Sequence, residues 1–309
     1  MFEVDYLLEN KENKTNEPKN PKKRKLSFDS PTIFRTKKTK IARTAPPQHV
    51  SQIPNTYCYQ AIGGRKSQQD ALITGFIKDF EQLSEEKQPE ALRLAFNELQ
   101  EKYGPYERSG STIALCISYG NKIIIANLGD SPIYLMKKDL DDTILKCQRL
   151  NTLHRHTDGK LHNLEVTRAI GNTKISELSH EPEISFFEVD NSDLLLIASD
   201  GLIHKSMITG DCDREYICSL FESAKIKNLP LEKIPQKLKE KAIDDGSIDN
   251  ISIILNQINA ENSHAQFFLV CDGHGPKGEE ISNNIAQNFQ RILNEKVQQL
   301  MFSREFKMA

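Results

Sequence analysis

Four apolar runs of strand length in this sequence each carry an aspartate at one end. Three runs end in their aspartate and one begins with it, and these residues are Asp130, Asp200, Asp249 and Asp272. If the strand that begins with its aspartate runs antiparallel to the others, the carboxylates reach one rim of a sheet. Carboxylates this close together take up protons or require a cation, and oxygen ligands suit Mg²⁺ or Mn²⁺. The pattern therefore predicts a divalent metal site.

Turn formation is the simpler explanation for any one of these runs, because aspartate and glycine are ordinary residues of turns after strands. The occurrence of four such runs in one chain favours the metal site. His274 follows Asp272 between Gly273 and Gly275, and glycines allow close approach to the backbone. An imidazole in that position is a candidate catalytic residue, although a histidine by itself is more often structural.

The composition is that of a chain with a large hydrophobic core. Of its 309 residues 38% are hydrophobic, which predicts one domain of roughly 250 residues and a separate tail. No apolar run reaches the ~20 residues of a membrane span, and the N-terminus lacks the features of a signal peptide. The six cysteines have no paired spacing of metal type, so we expect reduced thiols in a cytosolic or nuclear protein.

Residues 1–50 differ from the rest of the chain in charge. They contain 12 Lys and Arg against 6 Asp and Glu, net +6, whereas the remaining residues carry 29 against 37, net −8. Because this segment has no hydrophobic period, it is predicted to be a disordered tail before a domain over 51–309. Its run PKKRKL, Pro21–Leu26, resembles a nuclear localisation signal for an import receptor, with a solvated charge cluster as the alternative. Phosphorylation at Ser27 or Ser30 would reduce its positive charge.

Hydrophobic periodicity predicts a mixed α and β fold that begins near Tyr57. Apolar residues at helical spacing predict helices, at about 88–103, 213–224, 231–243 and 278–300. Besides the aspartate-bearing runs, strands are predicted on both sides of Gly63–Arg65 and at 166–172 and 181–189. The run over 109–136 predicts a β-meander with turns at 119–122 and 129–132.

Residues 139–165 are polar and irregular and predict a surface loop. The segment holds His154, His156 and His162, but no cysteine or further clustered ligand accompanies them. We therefore expect no zinc site there.

Seven segments resemble motifs of the metal-dependent protein phosphatases of the 2C type. In sequence order they are GGRKSQQDA, SGSTIAL, IIIANLGDSPIYL, LEVTRAIGN, LLLIASDGL, DGSIDNISIIL and FFLVCDGHG, and they cover most of residues 57–285. The resemblance implies an α+β fold in which two packed antiparallel β-sheets are flanked by helices. It also implies hydrolysis of phosphoserine and phosphothreonine in proteins at a site with two Mg²⁺ or Mn²⁺ ions.

The same resemblance implies a set of metal ligands. Asp272 would bridge both ions, the Gly273 carbonyl would hold one of them, and two further aspartates, Asp200 and Asp249, would hold the other. Asp70 would complete the metal site by orienting the metal-bound water, without itself contacting an ion.

Two catalytic residues follow from the resemblance as well. Arg65 would clamp the substrate phosphate, for which the planar fork of a guanidinium is well suited. His274 would protonate the leaving serine or threonine oxygen. Direct attack by water needs no covalent phosphoenzyme.

The sequence departs from the family pattern in several places. FFLVCDGHG and its helix stand at the C-terminus after a short loop, 259–265, whereas in the family they follow the early arginine motif, which implies a transposed segment order. Gln69 stands where the family has glutamate, and His204 and Asn172 stand where it has aspartate. The change at His204 puts a third metal site in doubt, and the short segment 151–164 implies a trimmed flap over the site.

Two other functions fit parts of the sequence. A non-catalytic binding module on the same fold would explain Gln69, His204 and Asn172, but it has no need of the retained arginine, histidine and aspartates. A nucleic-acid role through the basic tail is weakened by the acidic body and by the lack of aromatic residues among the basic ones. We expect a monomer in the cytoplasm or nucleus with a phosphoprotein substrate and no membrane contact. The transposed order and the tail would also fit delivery into a host cell.

Overall fold

The computed structural model describes residues 51–138, 144–156, 164–203, 212–223 and 229–303. The predicted tail with its basic run Pro21–Leu26 lies outside the described residues, as do His162 and His204. None of the helices in the described part is both long enough and apolar enough to cross a membrane.

The described residues form strands and α-helices in close agreement with the hydrophobic periodicity. The strands are β1 (Thr56–Ala61), β2 (Asp70–Phe76), β3 (Gly110–Ser111), β4 (Ile113–Tyr119), β5 (Lys122–Leu128), β6 (Ile133–Lys138), β7 (Ile144–Arg149), β8 (Ile170–Gly171), β9 (Glu183–Glu188), β10 (Leu194–Ala198), β11 (Ile251–Gln257) and β12 (Gln266–His274). The helices are α1 (Lys87–Tyr103), α2 (Cys212–Glu222), α3 (Ile234–Asp244) and α4 (Gly278–Phe302).

Two antiparallel sheets pack face to face. One has the order β1-β11-β10-β6-β7, and the other has the order β8-β3-β12-β4-β5-β9 with β2 on the free side of β12. Apolar side chains from both sheets fill the space between them, among them Leu72, Val270, Leu135, Ile197 and Ile254. α1 and α4 cover the outer face of the second sheet, and α2 and α3 cover that of the first. The fold is therefore the predicted α+β sandwich of two sheets flanked by helices.

β12 shows why the sequence of a central strand is almost continuously apolar. Phe267, Leu269 and Cys271 face the helices, whereas Phe268 and Val270 face the other sheet. Since successive side chains of a strand point to opposite faces, a strand that is buried on both faces needs apolar residues throughout. The same alternation directs Asp272 into the space between the sheets, at their rim.

The C-terminal strand and helix occupy interior positions. β12 is inserted between β2 and β4 and pairs antiparallel with both, and it is reached from β11 through residues 258–265. α4 packs along α1, where the rings of Phe96 and Phe289 meet edge to face with centroids 6.3 Å apart. The apolar stripe of α4 is buried, as its spacing predicts.

Two details of the predicted strands are wrong. β4 and β5 form the expected hairpin around Gly120, but the turn at 129–132 does not make a second one, because β6 crosses to the other sheet and pairs with β10. Residues 139–165 are not irregular throughout, since β7 lies at Ile144–Arg149 and pairs with β6. The alternating pattern of β7 is masked in the sequence by its lysine, glutamine and arginine residues.

Candidate active site

A cleft of about 230 Å³ opens at the rim of the two sheets, where β10 and β12 end and β11 begins. It is lined by most of the residues that the sequence singled out, namely Arg65, Gln69, Asp130, Asp200, Asp249, Asp272, Gly273 and His274. Asp70 is the register partner of Asp272 in the adjoining strand. The structure therefore brings together residues that are up to about two hundred positions apart in the chain.

Asp272 lines the cleft, and its register partner Asp70 lies buried next to it; we refer to this pair as the floor of the cleft. Both side chains follow the alternation of their strands into the space between the sheets. Asp70 is only 2% exposed, and neither of its carboxylate oxygens has a hydrogen-bond partner among the described residues. Burial, and after it the charge of Asp70, raises the pKa of Asp272 well above its ordinary value. An ionised carboxylate in this position is costly unless a cation or a donor meets it.

The surroundings of Asp70 give its carboxyl only weak support. Burial raises the pKa of Asp70 to about 7, and the charges of Asp200 and Asp249 add to the rise. The hydroxyls of Ser199 and Ser252 lie close enough to oppose it. They fall short of hydrogen-bond geometry with the carboxyl, and Ser199 Oγ instead accepts from the Ser252 amide at 3.0 Å.

Asp249 and Arg65 form the solvent side of the cleft. Arg65 Nη2 lies 2.5 Å from Asp249 Oδ2, and this hydrogen bond raises the pKa of Arg65. The other oxygen of Asp249 accepts from the Asn250 amide at 2.8 Å. The Arg65 side chain is 47% exposed, so its guanidinium has room to turn from the carboxylate toward a ligand.

Asn250 fixes the loop that carries Arg65, and the sequence analysis missed it. Its Oδ1 accepts from the Gln69 amide at 2.8 Å, and its Nδ2 donates to the carbonyls of Ile62 and Ser67 at 2.9 and 3.0 Å. These bonds tie the loop on both sides of Arg65 to the start of β11. The signal available in the sequence was an asparagine that directly follows the aspartate of a strand.

Two glycines permit the close backbone contacts of the cleft. Gly63 has a φ of +64°, and a Cβ there would lie 1.8 Å from the Asp249 carbonyl oxygen. A Cβ on Gly273 would lie 2.2 Å from the Gly278 carbonyl oxygen and 2.6 Å from that of Gln69. Any larger residue at either position would therefore push the arginine loop or the end of β12 away from its partner.

His274 lines the cleft and is held there by Asn172. Its Nε2 lies 2.6 Å from Asn172 Oδ1, so with the amide oxygen facing the ring this nitrogen carries the proton and donates. Burial lowers the pKa of His274 to about 4, and the ring is therefore neutral at pH 7. Asn172 has a φ of 53°, a left-handed conformation that asparagine adopts more readily than most residues. Gln69 Nε2 donates to the carbonyl of the next residue, Gly275, at 3.1 Å.

Arg155 contacts carboxylates that line the cleft, and the sequence did not reveal it. Its side chain is only 17% exposed, with Nη1 2.6 Å from Asp130 Oδ2 and 3.2 Å from Asp200 Oδ2, while Nη2 contacts Glu165. Burial and the charge of Asp200 raise the pKa of Asp130 to about 7, although Arg155 opposes the rise. No periodicity could have found this residue, because its position depends on the path of an irregular polar segment.

His154 corrects the prediction of a surface loop. Its side chain is 5% exposed, with Nδ1 accepting from the Gly129 amide at 3.2 Å and Nε2 2.9 Å from Glu183 Oε2. Burial lowers the pKa of His154, although the hydrogen bond to Glu183 opposes this. The imidazole therefore anchors the turn that carries Asp130.

The donor set of the cleft fits hard divalent cations. Among the described residues, no three His, Cys, Asp or Glu side chains already converge as a ligand set. Asp249 is turned toward Arg65 and Asp200 toward Arg155, which accounts for this. The two unpartnered oxygens of Asp70 are the feature that a cation or its water would satisfy. Oxygen donors of this kind suit Mg²⁺ or Mn²⁺.

Residues 59–251 match the sequence profile of the family described as Protein phosphatase 2C, which is more than half of the chain. This stretch includes Arg65, Asp70, Asp200 and Asp249 and ends before β12.

Individual relatives show the same similarity. Integrin-linked kinase-associated serine/threonine phosphatase 2C of Bos taurus is 26% identical over an alignment of 182 residues that covers 50% of this chain and 49% of that protein. Protein phosphatase PhpP of Streptococcus pneumoniae is 26% identical over 168 residues, which are 51% of this chain and 62% of that protein. The chain therefore spans less than two thirds of the length of either relative. The crystal structure of serine/threonine phosphatase Stp1 from Staphylococcus aureus covers 70% of this chain and 100% of its own, with a TM-score of 0.52 and 17% identity, a likeness of fold.

Proposed function

Because this chain belongs to the protein phosphatase 2C family, we propose that it hydrolyses phosphoserine and phosphothreonine in proteins at the cleft described above. The observation that carries the proposal is the floor of the cleft, where Asp70, whose carboxyl has no hydrogen-bond partner among the described residues, is the register partner of Asp272, and the exposed Arg65 lines the same cleft. A binding module would gain nothing from burying carboxylates without partners, since the burial costs stability.

Two Mg²⁺ or Mn²⁺ ions are the proposed cofactors. Asp272, the Gly273 carbonyl, Asp200 and Asp249 would hold these ions, and Asp70 would orient the attacking water. When bound, such ions lower the pKa of water and stabilise negative charge that develops on a phosphoryl group. The carboxylates contribute by drawing the cations into the cleft, where their own mutual repulsion is relieved.

Arg65 is the proposed phosphate-binding residue. Its guanidinium is exposed at the mouth of the cleft and already holds a carboxylate, Asp249, at 2.5 Å. A phosphate offers oxygens in a comparable geometry, and a guanidinium binds them through two parallel hydrogen bonds. When Asp249 serves as a metal ligand, Arg65 would be released from this carboxylate and its guanidinium would be free to bind the phosphate.

His274 is the proposed donor to the leaving oxygen. At pH 7 the neutral ring holds a proton on Nε2, where Asn172 accepts it. A phosphate dianion nearby would raise the pKa of His274, because an opposite charge favours the imidazolium. The ring would take a second proton from solvent on Nδ1 and then give its Nε2 proton to the leaving oxygen, which replaces Asn172 as acceptor and leaves the imidazole neutral.

The transposed segment order is also proposed. The family match ends at residue 251, and the segment of β12 and α4 that follows it fills the slot between β2 and β4. Moving residues 266–303 to a position directly after β2 should therefore give a folded chain. A rearranged variant that shows no cooperative thermal unfolding would contradict this.

The roles of the tail and the position of the domain boundary are proposals that rest on the sequence alone. We propose that the catalytic domain spans 51–309 and that the run Pro21–Leu26 directs import into the nucleus. Replacing Lys22 to Lys25 by alanine in a fluorescent fusion should leave the protein in the cytoplasm, and unchanged nuclear signal would refute the assignment.

The test of the function is hydrolysis of p-nitrophenyl phosphate and a phosphothreonine peptide with EDTA, Mg²⁺ or Mn²⁺. We expect metal-dependent release that falls by about 10³-fold or more in Asp272→Asn, because ligand loss removes several kcal/mol of stabilisation. The exposed carboxylate of Asp190 is the matched control, and Asp190→Asn should keep the wild-type rate. If a folded protein hydrolysed neither substrate with any metal, the phosphatase proposal would be wrong, and a phosphoprotein-binding module would take its place.

A further inference from the structure

Three acidic side chains of the cleft surround one arginine. Arg155 Nη1 lies between Asp130 Oδ2 and Asp200 Oδ2, at 2.6 and 3.2 Å, and its Nη2 contacts Glu165. Asp130 lies in the connection between β5 and β6, where the chain crosses from one sheet to the other, and Asp200 follows β10. The guanidinium therefore joins this connection to the end of β10.

The position of Arg155 is built into the local backbone. Arg155 forms an antiparallel bridge with Val166, and two backbone hydrogen bonds flank it, from His156 N to Glu165 O at 2.9 Å and from Thr167 N to His154 O at 2.8 Å. The preceding residue, His154, is buried and bonded to Gly129 and Glu183. The arginine is thus held from both sides and is not a mobile surface side chain.

The charges around Arg155 explain what it does there. Although burial opposes the charged form, Asp130, Asp200 and Glu165 together raise the pKa of Arg155. Within the part of the chain that the structure describes, Asp130 is contacted by no second lysine or arginine. The guanidinium of Arg155 thus contacts three carboxylates, and oxygen donors of this kind also bind divalent cations.

We infer that Arg155 is a positioning residue that occupies, with its guanidinium, the place between Asp130 and Asp200 where a further divalent cation would bind. This rests on the proposed function only in that it concerns the same cleft. Arg155 holds Asp200 in place for the proposed metal site and limits the number of ions that the cleft takes up. Removing the guanidinium converts its position into an additional cation site.

The number of Mn²⁺ ions bound per chain tests this inference. Isothermal titration and equilibrium dialysis with Mn²⁺ should give a value n for the wild-type chain and n + 1 for Arg155→Met. The double variant Arg155→Met/Asp130→Asn should return to n, because it lacks one of the donors. Arg149→Met is the matched control, since Arg149 also pairs with a buried carboxylate, Asp213, at 2.7 Å but outside the cleft, and it should bind n ions.

A second variant keeps the test decisive if Arg155→Met does not fold. Asp130→Asn in the wild-type background should still bind n ions, because Arg155 and not a metal contacts Asp130. Loss of one ion in Asp130→Asn, or an unchanged n in folded Arg155→Met, would overturn the inference. The value of n itself tests the proposed function: n equal to zero with a gain of one ion in Arg155→Met would refute the two-ion site and leave the role of Arg155 standing.

Discussion

The floor of the cleft, Asp70 and Asp272, and its far wall, Asp130 and Asp200 around Arg155, both bury carboxyl groups. Burial opposes ionisation of these carboxyls in both regions, but the surroundings offset that cost differently. Burial raises the pKa of Asp70 in the floor and of Asp130 in the wall to about 7. Asp130 is contacted by Arg155 at 2.6 Å, whereas neither carboxylate oxygen of Asp70 has a hydrogen-bond partner among the described residues. The chain thus supplies a cation of its own to the wall, whereas among the described residues it supplies no partner to the carboxyl of Asp70.

The two arginines of the cleft extend this comparison. Arg155 is 17% exposed and contacts three carboxylates, whereas Arg65 is 47% exposed and contacts one. An ion pair that is largely buried cannot be broken without leaving an uncompensated charge, but an exposed pair exchanges readily with water. Arg155 therefore belongs to the framework, and Arg65 is available to a ligand.

The largest effect is expected from exchanging the two arginines for methionine in turn. Arg155→Met should lower the free energy of unfolding by about 3 to 5 kcal/mol, because it leaves buried carboxylates without their partner. Arg65→Met should change it by less than about 1 kcal/mol and instead reduce kcat/KM about 10- to 150-fold, the value of a lost hydrogen bond to a charged group. Urea denaturation measures the free energy of unfolding of both variants, and phosphopeptide kinetics measures their kcat/KM. If both variants lost the same unfolding free energy, Arg155 would not be a framework residue in contrast to Arg65.

Asp70→Asn should stabilise the protein in the presence of EDTA. An aspartate whose pKa rises on folding favours the folded state while it is protonated, so its contribution is present below about pH 4 and is lost as the pH rises through about 7. The variant should therefore match wild type near pH 4 and exceed it at pH 8 by up to about 4 kcal/mol. Asp190→Asn, at an exposed carboxylate, should shift stability by less than about 1 kcal/mol at either pH. Thermal unfolding of both proteins at pH 4 and pH 8 measures this difference. If Asp70→Asn were no more stable than wild type at pH 8, the account would be contradicted.

Gly63→Ala separates steric conflict at the cleft from backbone strain alone. Gly63 and Gly120 both have a positive φ, but a Cβ on Gly63 would lie 1.8 Å from the Asp249 carbonyl oxygen, whereas a Cβ on Gly120 would meet nothing within 4 Å. Gly120→Ala should cost about 1 kcal/mol and leave turnover unchanged, and Gly63→Ala should cost more and lower kcat/KM. Identical behaviour of the two variants would show that the contact between the arginine loop and β11 does not control the site.

The smallest effect is expected at Asn172, which accepts the hydrogen bond of His274. Asn172→Asp places a carboxylate 2.6 Å from the ring nitrogen and should raise the pKa of His274 from about 4 toward its ordinary value near 6.5. Proton NMR of the imidazole follows this titration independently of activity. A pKa that stays near 4 in the variant would mean that burial alone sets the protonation of the ring.

Much of the fold could be predicted because hydrophobic period and burial agree. β12 is apolar at every position from Phe267 to Cys271 because both of its faces are covered, and the aspartates at strand ends therefore identify the rim of the cleft. The crossing of β6 to the other sheet could not be predicted, since local periodicity carries no information about which sheet a strand joins.

The parts of the site that were missed depend on irregular backbone. Arg155 lies in a polar segment whose sequence gives no period, and only the bridge to Val166 and the buried neighbour His154 direct it into the cleft. Asn250 was missed for another reason, because its three hydrogen bonds reach a loop about 180 residues earlier in the chain. Residue types at strand ends predict ligands, whereas the groups that position them require the three-dimensional path.

The most direct measurement is the anomalous scattering of Mn²⁺ in crystals of the wild-type protein grown with saturating manganese. The account predicts anomalous density beside Asp272 and Asp249 and none between Asp130 and Asp200, where the guanidinium of Arg155 lies. Density between Asp130 and Asp200 with Arg155 displaced, or the absence of density beside Asp272, would contradict the division of the cleft into a floor that takes metal and a wall that carries its own cation.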